Sequence, residues 1–361
     1  MTERSTKRLR LLALTRAQMR SLLETPEELE RELNLRIARE MITEPVRRAG
    51  AIKIGRLAQA QDQEYEWLTY WLMIVPEEAQ GVGLIGYKGA PDADGMVEVG
   101  YGIAHTVQGR GYATEALQGM LAWAFEDPRT RTVMADVLRT NPASSRVLEK
   151  VGMQTVGETE EALLWRMSRA RWDHVAVMDV LRRFQAFYDA RDVSQLDACM
   201  ELFAADEDGL ELIGANASEP GLDEWCLGRA GVREILEGDW LYWGQFAMDL
   251  ERARVTVCGD AAWVSAPATV TKILETRQGY ENFVGYMRWV LDEQPEWSAE
   301  EKVLDILRGG TNTVFELQKG ERFVWPARLT AVLLRQAQGW RFQHMQFSFP
   351  TTRFPDVRRT D

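Results

Sequence analysis

Hydrophobic and polar residues alternate along residues 96–104, and shortly afterwards the apolar residues follow a helical spacing. The alternation predicts a strand with its apolar side chains on one face, at Val97, Val99, Tyr101 and Ile103. A glycine-rich turn follows at residues 108–113, and apolar residues then recur at helical spacing up to Ala124. The pattern therefore predicts a strand, a tight turn and a helix in direct succession.

This strand, turn and helix form an anion-binding arrangement because the turn is built on glycine. Successive backbone N–H groups of such a turn point inward, and the start of the helix adds a partial positive charge. Gly109 and Gly111 carry no side chain that would hold a pyrophosphate away from these groups. The turn lacks both the G-x-G-x-x-G spacing of dinucleotide-binding sites and the Gly-Lys-Ser/Thr ending of a P-loop.

The same patterns assign the other elements of the first half. Strands are predicted at residues 7–13, 65–75, 81–87, 132–138, 154–159 and 162–167. Helices are predicted at residues 14–23, 113–125 and 142–151, and a further helix opens at Pro26, with apolar positions that continue to Met41.

The second half begins with helices and continues as strands. Helices are predicted at residues 172–190, 194–204 and 232–237, and strands at residues 210–214, 248–257, 263–273, 323–335 and 340–348. Residues 278–308 have a helical composition and interrupt the strands. We therefore expect two domains, residues 1–170 and 171–361, with a helical insertion near residues 275–312.

Length, charge and cysteine content narrow the class of protein. The chain has 361 residues, enough for two domains, and its apolar runs are too short to span a bilayer. Three cysteines without metal-like spacing argue against a disulfide framework, and we expect a cytoplasmic protein without a metal site. The net charge is −12, of which −10 falls after residue 170 (21 Lys+Arg against 31 Asp+Glu), so nucleic acid is not an expected partner.

Two motifs of the first half resemble those of the GNAT acyltransferases. The turn matches the (Gln/Arg)-x-x-G-x-(Gly/Ala) pattern of that family at Gln108, Gly111 and Ala113. Residues 141–153, NPASSRVLEKVGM, resemble the second motif, an N-x-x-S helix that ends in a Gly-aromatic step, although Met153 replaces the usual phenylalanine. The details are most similar to the subgroup that acetylates the N-terminal amines of ribosomal proteins and related small amines.

This resemblance implies a mixed, splayed sheet with helices on both faces, and acetyl-CoA as co-substrate between the splayed strands. It implies that the backbone N–H of Ile103 contacts the acyl carbonyl or pantetheine group and that Asn141 binds the pantetheine arm. The pyrophosphate would lie on the turn formed by Gln108, Gly109, Arg110, Gly111, Tyr112, Ala113 and Thr114.

The resemblance also suggests roles in catalysis. Glu98 is the candidate base, acting directly or through water, because an ammonium acceptor must lose a proton before it attacks the thioester. Ser144 would lie near the sulfur, and Tyr101 or Tyr112 could protonate the leaving thiolate. The structural alternatives are that Glu98 is a solvated strand residue and that both tyrosines pack in the core.

The second half resembles the SnoaL-like branch of the NTF2-like α+β cone fold. The resemblance rests on helices followed by antiparallel strands, on the motif G-R-x-G-V-R-E-I, and on the final W-R-F-Q-H-M-Q-F-S. Members of that fold bind small molecules in the mouth of the cone, which here suggests a pocket with Trp263 and His344, and with Asp249 and Tyr242 as further polar groups. The many tryptophans fit a cavity, a plain core or a dimer face equally well.

Three functional hypotheses follow. The first is an acetyl-CoA-dependent N-acetyltransferase that acts on a protein N-terminus or a small amine, with an appended ligand-binding or homodimerising domain. The second is a non-catalytic acetyl-CoA-binding sensor that detects a small apolar molecule through the cone domain. The third is a bifunctional enzyme with an isomerase-like or cyclase-like second site.

Overall fold

A computed structural model describes residues 2–59, 64–205, 209–215, 217–221 and 224–349. The chain divides into two compact units, Met1–Trp172 and Asp173–Asp361. Among the described residues, no helix is long and apolar enough to cross a membrane. Each unit combines a sheet with helices, so the α+β class predicted for both halves is confirmed.

The described residues of the first unit form nine strands and six α-helices. Its strands are β1 (Glu3–Ser5), β2 (Arg10–Ala13), β3 (Arg36–Ile37), β4 (Trp71–Val75), β5 (Gln80–Tyr87), β6 (Met96–Ile103), β7 (Thr132–Leu138), β8 (Gln154–Glu158) and β9 (Ala162–Ser168). Its helices are α1 (Arg16–Glu24), α2 (Pro26–Leu33), α3 (Glu44–Leu57), α4 (Tyr65–Leu68), α5 (Tyr112–Glu126) and α6 (Pro142–Lys150).

These nine strands form one sheet in the order β1-β2-β4-β5-β6-β7-β9-β8, with β3 beside β5. Most neighbours are antiparallel, but β6 and β7 run parallel and pair only at Met96↔Thr132, Val97↔Val133 and Glu98↔Met134. Beyond Glu98 and Met134 the two strands separate. The sheet therefore splays in its middle, as the family resemblance implies.

Two predictions for the first unit were wrong in detail, and one helix was not predicted. Residues 65–68 form helix α4 instead of the start of a strand, and the indole of Trp71 donates to the carbonyl of Glu66 at 3.0 Å. Helix α2 ends at Leu33 because Asn34 takes the left-handed conformation (φ 51°). Helix α3 was missed, since its apolar residues do not follow a clear helical period.

Within the described part of the second unit there are seven strands, four α-helices and most of a fifth helix that begins before the unit. The helices are α7 (Arg169–Ala190), which begins in the first unit, α8 (Leu196–Met200), α9 (Gly228–Tyr242), α10 (Thr276–Glu293) and α11 (Ala299–Leu317). The strands are β10 (Glu211–Ile213), β11 (Trp225–Leu227), β12 (Gln245–Met248), β13 (Arg254–Cys258), β14 (Ala261–Ile273), β15 (Arg322–Gln336) and β16 (Gly339–Ser348).

The second sheet has the order β11-β10-β16-β15-β14-β12, with β13 beside β14. One face packs against α7, α8 and α9 around buried Phe184, Phe246 and Phe342. The predicted strand 248–257 is interrupted: it covers the last residue of β12, a turn and most of β13. In this turn the carboxylate of Asp249 accepts from the backbone N–H of Arg252 at 3.1 Å. Strand β11 was not predicted.

Helices α10 and α11 form an antiparallel hairpin between β14 and β15, where the sequence predicts a helical insertion near residues 275–312. A capping box starts α11: the hydroxyl of Ser298 accepts from the backbone of Glu301, and the carboxylate of Glu301 accepts from the backbone of Ser298. The helical segment extends to Leu317, beyond the predicted end. Strands β14 and β15 remain paired up to Ile273 and Arg322, where the insertion begins and ends.

Candidate active site

The splay between β6 and β7 creates a cleft lined by unpaired backbone. The backbone N–H of Ala104 donates to Val82 of β5 at 2.8 Å, and the carbonyl of Glu98 accepts from Lys88 at 2.8 Å. Successive residues of a strand direct their backbone groups to opposite edges. The N–H groups of Tyr101 and Ile103 therefore point to the cleft, which is the position that the family resemblance implies for Ile103.

The glycine turn follows the end of β6, on the side where β6 has left β7. Gly109 and Gly111 have φ angles of +79° and +84°, a region that other L-residues rarely adopt. Gly111 is the N-cap of α5, and no side chain caps this helix. No capping side chain therefore occupies the first backbone N–H groups of α5. A helix start that binds phosphate needs these groups to be available.

Two arginines lie at this turn. The guanidinium of Arg8 donates to the carbonyl of Arg110 at 2.9 Å and pairs with Glu115 at 2.8 Å. Arg110 pairs with Glu78 at 3.0 Å. Burial alone would raise the pKa of Glu115, but hydrogen bonds from Thr6 and Arg8 outweigh it and hold the pKa below its usual value. The carboxylate in the first turn of α5 is thus already paired with a cation.

Side chains of the predicted turn divide by exposure. Gln108, Arg110 and the two glycines are exposed, Ala113 and Thr114 are half-buried, and Tyr112 is buried. The Tyr112 ring packs below the guanidinium of Arg8, 4.9 Å from its centre. Tyr112 therefore offers the turn its backbone N–H, while its ring packs in the core.

The second motif lies at the start of α6. Asn141 is the N-cap, and its side-chain oxygen accepts from the backbone N–H of Ser144 at 3.1 Å. The hydroxyl of Tyr101 donates to the carbonyl of Ser144 at 3.2 Å. Burial raises the pKa of Tyr101 to about 12, which the Ser144 hydrogen bond partly offsets. The structure therefore brings Tyr101 of β6 together with Ser144 of α6 and keeps the tyrosine protonated at neutral pH.

Glu98 lies on the opposite face of β6 from Tyr101, because the two are an odd number of residues apart on one strand. Its carboxylate is half-buried, at 29% exposure, and forms an ion pair with Lys88 at the end of β5. A nucleophile could therefore approach from the Glu98 face while a leaving group lies near Tyr101. Glu98 is not simply a solvated residue, since it has a charged partner.

A pocket of about 220 Å³ opens on the Glu98 face, between α3 and strands β5 and β6. Its floor is free of side chains at Gly86, Gly100 and Gly102, and its walls are largely apolar, from Val46, Ala49, Tyr70 and Leu84. Lys88, the partner of Glu98, lines the same pocket. This position suits a group attached to an amine that reaches Glu98.

Lys53 of α3 is a buried cation at the wall of this pocket, and sequence reasoning missed it. Its ammonium donates to the carbonyl of Leu68 at 3.0 Å and to the carbonyl of Tyr87. Burial lowers the pKa of Lys53 to about 7, with a further contribution from Arg56. No sequence signal distinguishes Lys53 from a surface lysine, because α3 itself was not predicted.

In the second unit the predicted pocket residues lie elsewhere. Trp263 and His344 share a row across β14, β15 and β16 with Val332, on the face opposite to the helix-covered core. Trp263 is 51% exposed, and Asp249 belongs to the turn between β12 and β13. The prediction that Trp263 and His344 line the cavity of a cone was therefore wrong, because the strand alternation turns both away from the helices.

His344 nevertheless has a partner, which sequence reasoning did not identify. Its Nδ1 lies 3.0 Å from the carboxylate of Glu211 on β10, whose other oxygen accepts from the indole of Trp225 at 2.8 Å. The Trp225 hydrogen bond, and then that of His344, holds the pKa of Glu211 below its usual value. Tyr242, the other polar candidate, is 78% exposed at the end of α9.

Within the described residues, no group of three or more His, Cys, Asp or Glu side chains could hold a metal ion.

Comparison with known proteins bears on the first unit. Residues 8–154 match the family model of the acetyltransferase (GNAT) domain. The first unit contains a GNAT acetyltransferase domain. The GNAT match covers β2 through the start of β8, which includes the cleft, the glycine turn and the Asn141 helix.

Two curated relatives are similar to part of this GNAT domain. The N-acetyltransferase YjdG of Bacillus subtilis is 28% identical over 95 residues, 26% of this chain and 56% of that protein. The N-acetyltransferase p20 of Bacillus licheniformis is 24% identical over 111 residues, 31% of this chain and 61% of that protein. The chain thus spans less than two thirds of the length of either relative.

Solved structures resemble each half. A ribosomal-protein-S5-alanine acetyltransferase from Vibrio fischeri covers 48% of this chain and 99% of its own, with 15% identity and a TM-score of 0.36. An NTF2-like protein with a cystatin-like fold from Novosphingobium aromaticivorans covers 50% of this chain and 84% of its own, with 14% identity and a TM-score of 0.31. The GNAT and NTF2-like resemblances are both represented among these neighbours.

Proposed function

We propose that the chain is an acetyl-CoA-dependent N-acetyltransferase that acts on an amine acceptor, a protein N-terminus or a small amine. The observation that carries this proposal is the cleft between β6 and β7, with the glycine turn at its open end and Glu98 on the strand that forms one wall. The GNAT domain and the two related N-acetyltransferases support it.

In this proposal the backbone binds the co-substrate. The N–H groups at the start of α5 and in the turn bind the pyrophosphate, because they carry partial positive charge and Gly109 and Gly111 leave them accessible. Asn141 contacts the pantetheine arm. The N–H of Ile103 donates to the acyl carbonyl and stabilises the negative charge that develops on its oxygen during attack.

Glu98 and Tyr101, on opposite faces of β6, carry out the two proton transfers of the reaction. Glu98 takes a proton from the acceptor ammonium, directly or through a water molecule, so that the neutral amine can attack the carbonyl carbon. Tyr101, with its hydroxyl at Ser144, is the donor to the departing sulfur. The acceptor's neighbouring group lies in the 220 Å³ pocket under α3.

The second unit is assigned to assembly, as the homodimerising domain. Its helix-covered sheet face is filled by buried aromatic residues, so the described part of this face offers little room for a flat ligand. This argument weakens the sensor and bifunctional hypotheses, which both need a second small-molecule site.

A release assay tests the enzymatic proposal. Free CoA is measured from acetyl-CoA with panels of peptides, polyamines and aminoglycosides, and mass spectrometry identifies the acetylated nitrogen. We expect acceptor-dependent release with at least one amine class, and release about 100-fold slower from the Glu98→Gln variant at neutral pH. If the chain binds acetyl-CoA but releases no CoA above spontaneous hydrolysis with any acceptor, the enzyme proposal is wrong and the sensor hypothesis replaces it.

A further inference from the structure

The α10–α11 hairpin exposes an unusual amount of apolar surface. Nine large apolar side chains on its two helices are 40–62% exposed. Trp289, Leu304 and Phe315 lie at other angles around their helices. The remaining six are Tyr280, Val284, Leu291, Val303, Leu307 and Val314. Scattered exposed apolar residues are common, but a contiguous patch usually marks a contact surface. The question is therefore whether these side chains form one patch.

On each helix three of these six residues form one stripe, with the same spacing on both. Tyr280, Val284 and Leu291 are four and then seven residues apart on α10, and the three residues of α11 repeat that spacing. At roughly 100° per residue, each set falls within an arc of about 40°. Neither stripe contains a charged residue.

The two stripes lie on the same side of the hairpin. The helices face one another through Phe283, which contacts Gly309 and Gly310, and through the hydrogen bond from Tyr286 to Asp305. Each stripe is rotated by roughly 100–130° from these facing residues, in the same sense about its own helix axis. Because the helices run antiparallel, equal rotations bring both stripes to one side of the pair.

We propose that this face, the hairpin face, is a dimerisation surface whose occupant is the hairpin face of a second copy of this chain. The four helices would form an antiparallel bundle with the six apolar residues of each copy in its core. A two-fold contact between identical uncharged faces is closed and brings no like charges together in its centre.

The exposed area fits such a dimer. At roughly 50–100 Å² for each half-exposed large side chain, the six residues offer roughly 300–600 Å² of apolar surface. A stable interface buries about 800 Å² per partner, of which about 65% is apolar in homodimers, or roughly 500 Å². Among the described residues no further layer covers this face of the two helices, and a second copy supplies one.

The test measures the mass of the full chain in solution by light scattering after gel filtration. We expect 2 × 41.2 kDa for the parent chain and 41.2 kDa for the Leu307→Glu variant, which places two carboxylates in the centre of the dimer. The dimer should weaken at least about 100-fold. Leu307 is 62% exposed, so the substitution leaves the fold of one chain intact, which circular dichroism checks.

Two further variants make the result decisive. Gln278→Glu adds the same charge to an exposed position on the opposite side of α10 and should remain dimeric. Replacing residues 275–320 by Asn-Gly joins Leu274 to Glu321, which are already hydrogen-bonded at 2.8 Å, and should give a monomer. A monomeric parent chain, a dimer that persists without the hairpin, or equal weakening by Gln278→Glu would each overturn the proposal.

Discussion

The two sheets of this protein differ in where their backbone N–H and C=O groups lack a partner on a neighbouring strand. In the first unit, β6 and β7 pair at three positions and then separate, which exposes backbone N–H groups to a cleft. In the second unit, β14 and β15 pair without interruption from Ala261↔Leu334 to Ile273↔Arg322. The split between β6 and β7 therefore offers backbone N–H groups to a ligand in the middle of the first sheet, whereas β14 and β15 use theirs to pair with each other. This difference is one reason why we propose catalysis for the first unit and contacts with a second copy of the chain for the second.

Buried ionisable groups give a second contrast. Lys53 of the first unit and Asp239 of the second both have a pKa of about 7, in each case mainly because burial disfavours the charged form. Asp239 accepts from the hydroxyl of buried Tyr188 at 2.8 Å, and Glu224 raises its pKa further. The same physical cause acts on a base and on an acid, so the two units should respond to pH in opposite directions.

The largest effect is expected from Gly111→Asp. This substitution puts a carboxylate at the start of α5, where the proposed pyrophosphate lies, and imposes a φ of +84° on a residue with a side chain. CoA binding should weaken by at least about 100-fold in calorimetry, which corresponds to about 3 kcal/mol.

Gly259→Asp is the matched control, because Gly259 also has a positive φ (+60°) and open space around it but lies in the second unit. It should cost similar stability and leave CoA affinity unchanged. Unchanged CoA binding by Gly111→Asp would show that the turn has been misassigned.

The next effect concerns Glu98. Glu98→Gln keeps the size of the side chain but removes the proton acceptor, so turnover at neutral pH should fall by about 100-fold. Turnover should partly recover as the pH approaches the pKa of the acceptor amine, because the amine is then already neutral. A steady-state pH–rate profile measures this recovery.

Glu158→Gln is the control for that experiment, since Glu158 is an exposed carboxylate of the same unit on β8 and pairs with Arg139. Its profile should match that of the parent chain. A Glu98→Gln profile of the same shape and height as the parent's would remove Glu98 from the mechanism.

The smallest effects are on stability. The pKa of Lys53 is about 7 when folded and about 10.4 when unfolded, so between these values the unfolded chain binds the extra proton and the first unit gains stability as pH rises. The pKa of Asp239 is about 7 when folded and about 3.9 when unfolded, so between pH 4 and 7 the folded chain binds the extra proton and the second unit loses stability as pH rises.

Urea unfolding at several pH values measures how the free energy of unfolding changes with pH. Its slope should approach about 1.4 kcal/mol per pH unit in each window. Lys53→Met should flatten the rise above pH 7, and Asp239→Asn should flatten the fall below it. Lys88→Met, at a lysine 64% exposed, is the control. If both units respond to pH in the same direction, the contrast drawn from burial does not hold.

Sequence patterns predicted the parts of the fold that local chemistry determines. The β6 strand, the glycine turn and the Asn141 helix follow from alternation, positive-φ glycines and capping, and all lie where those signals indicate. The separation of β6 from β7 could be expected only through the family resemblance, because no local signal states where pairing between distant strands ends.

The site residues that the sequence misplaced or did not reveal all depend on tertiary structure. Trp263 and His344 are typical pocket residues by type, but their orientation depends on the register of β14, β15 and β16, including a bulge beside Val332. Lys53 became visible only when the pocket under α3 was seen. Residue type indicates what a side chain can do, and the register of strands determines which face it occupies.

The three residue pairs between β6 and β7 also have a mechanical consequence. They are the only strand pairing described between the β1-β2-β4-β5-β6 part of the first sheet and the β7-β9-β8 part. Under a pulling force applied across the strands, these few parallel hydrogen bonds carry the load between the two parts, so the two parts should separate there. A ligand bound in the cleft beyond Glu98 and Met134 would contact both parts. It would therefore increase the force that is needed to separate them.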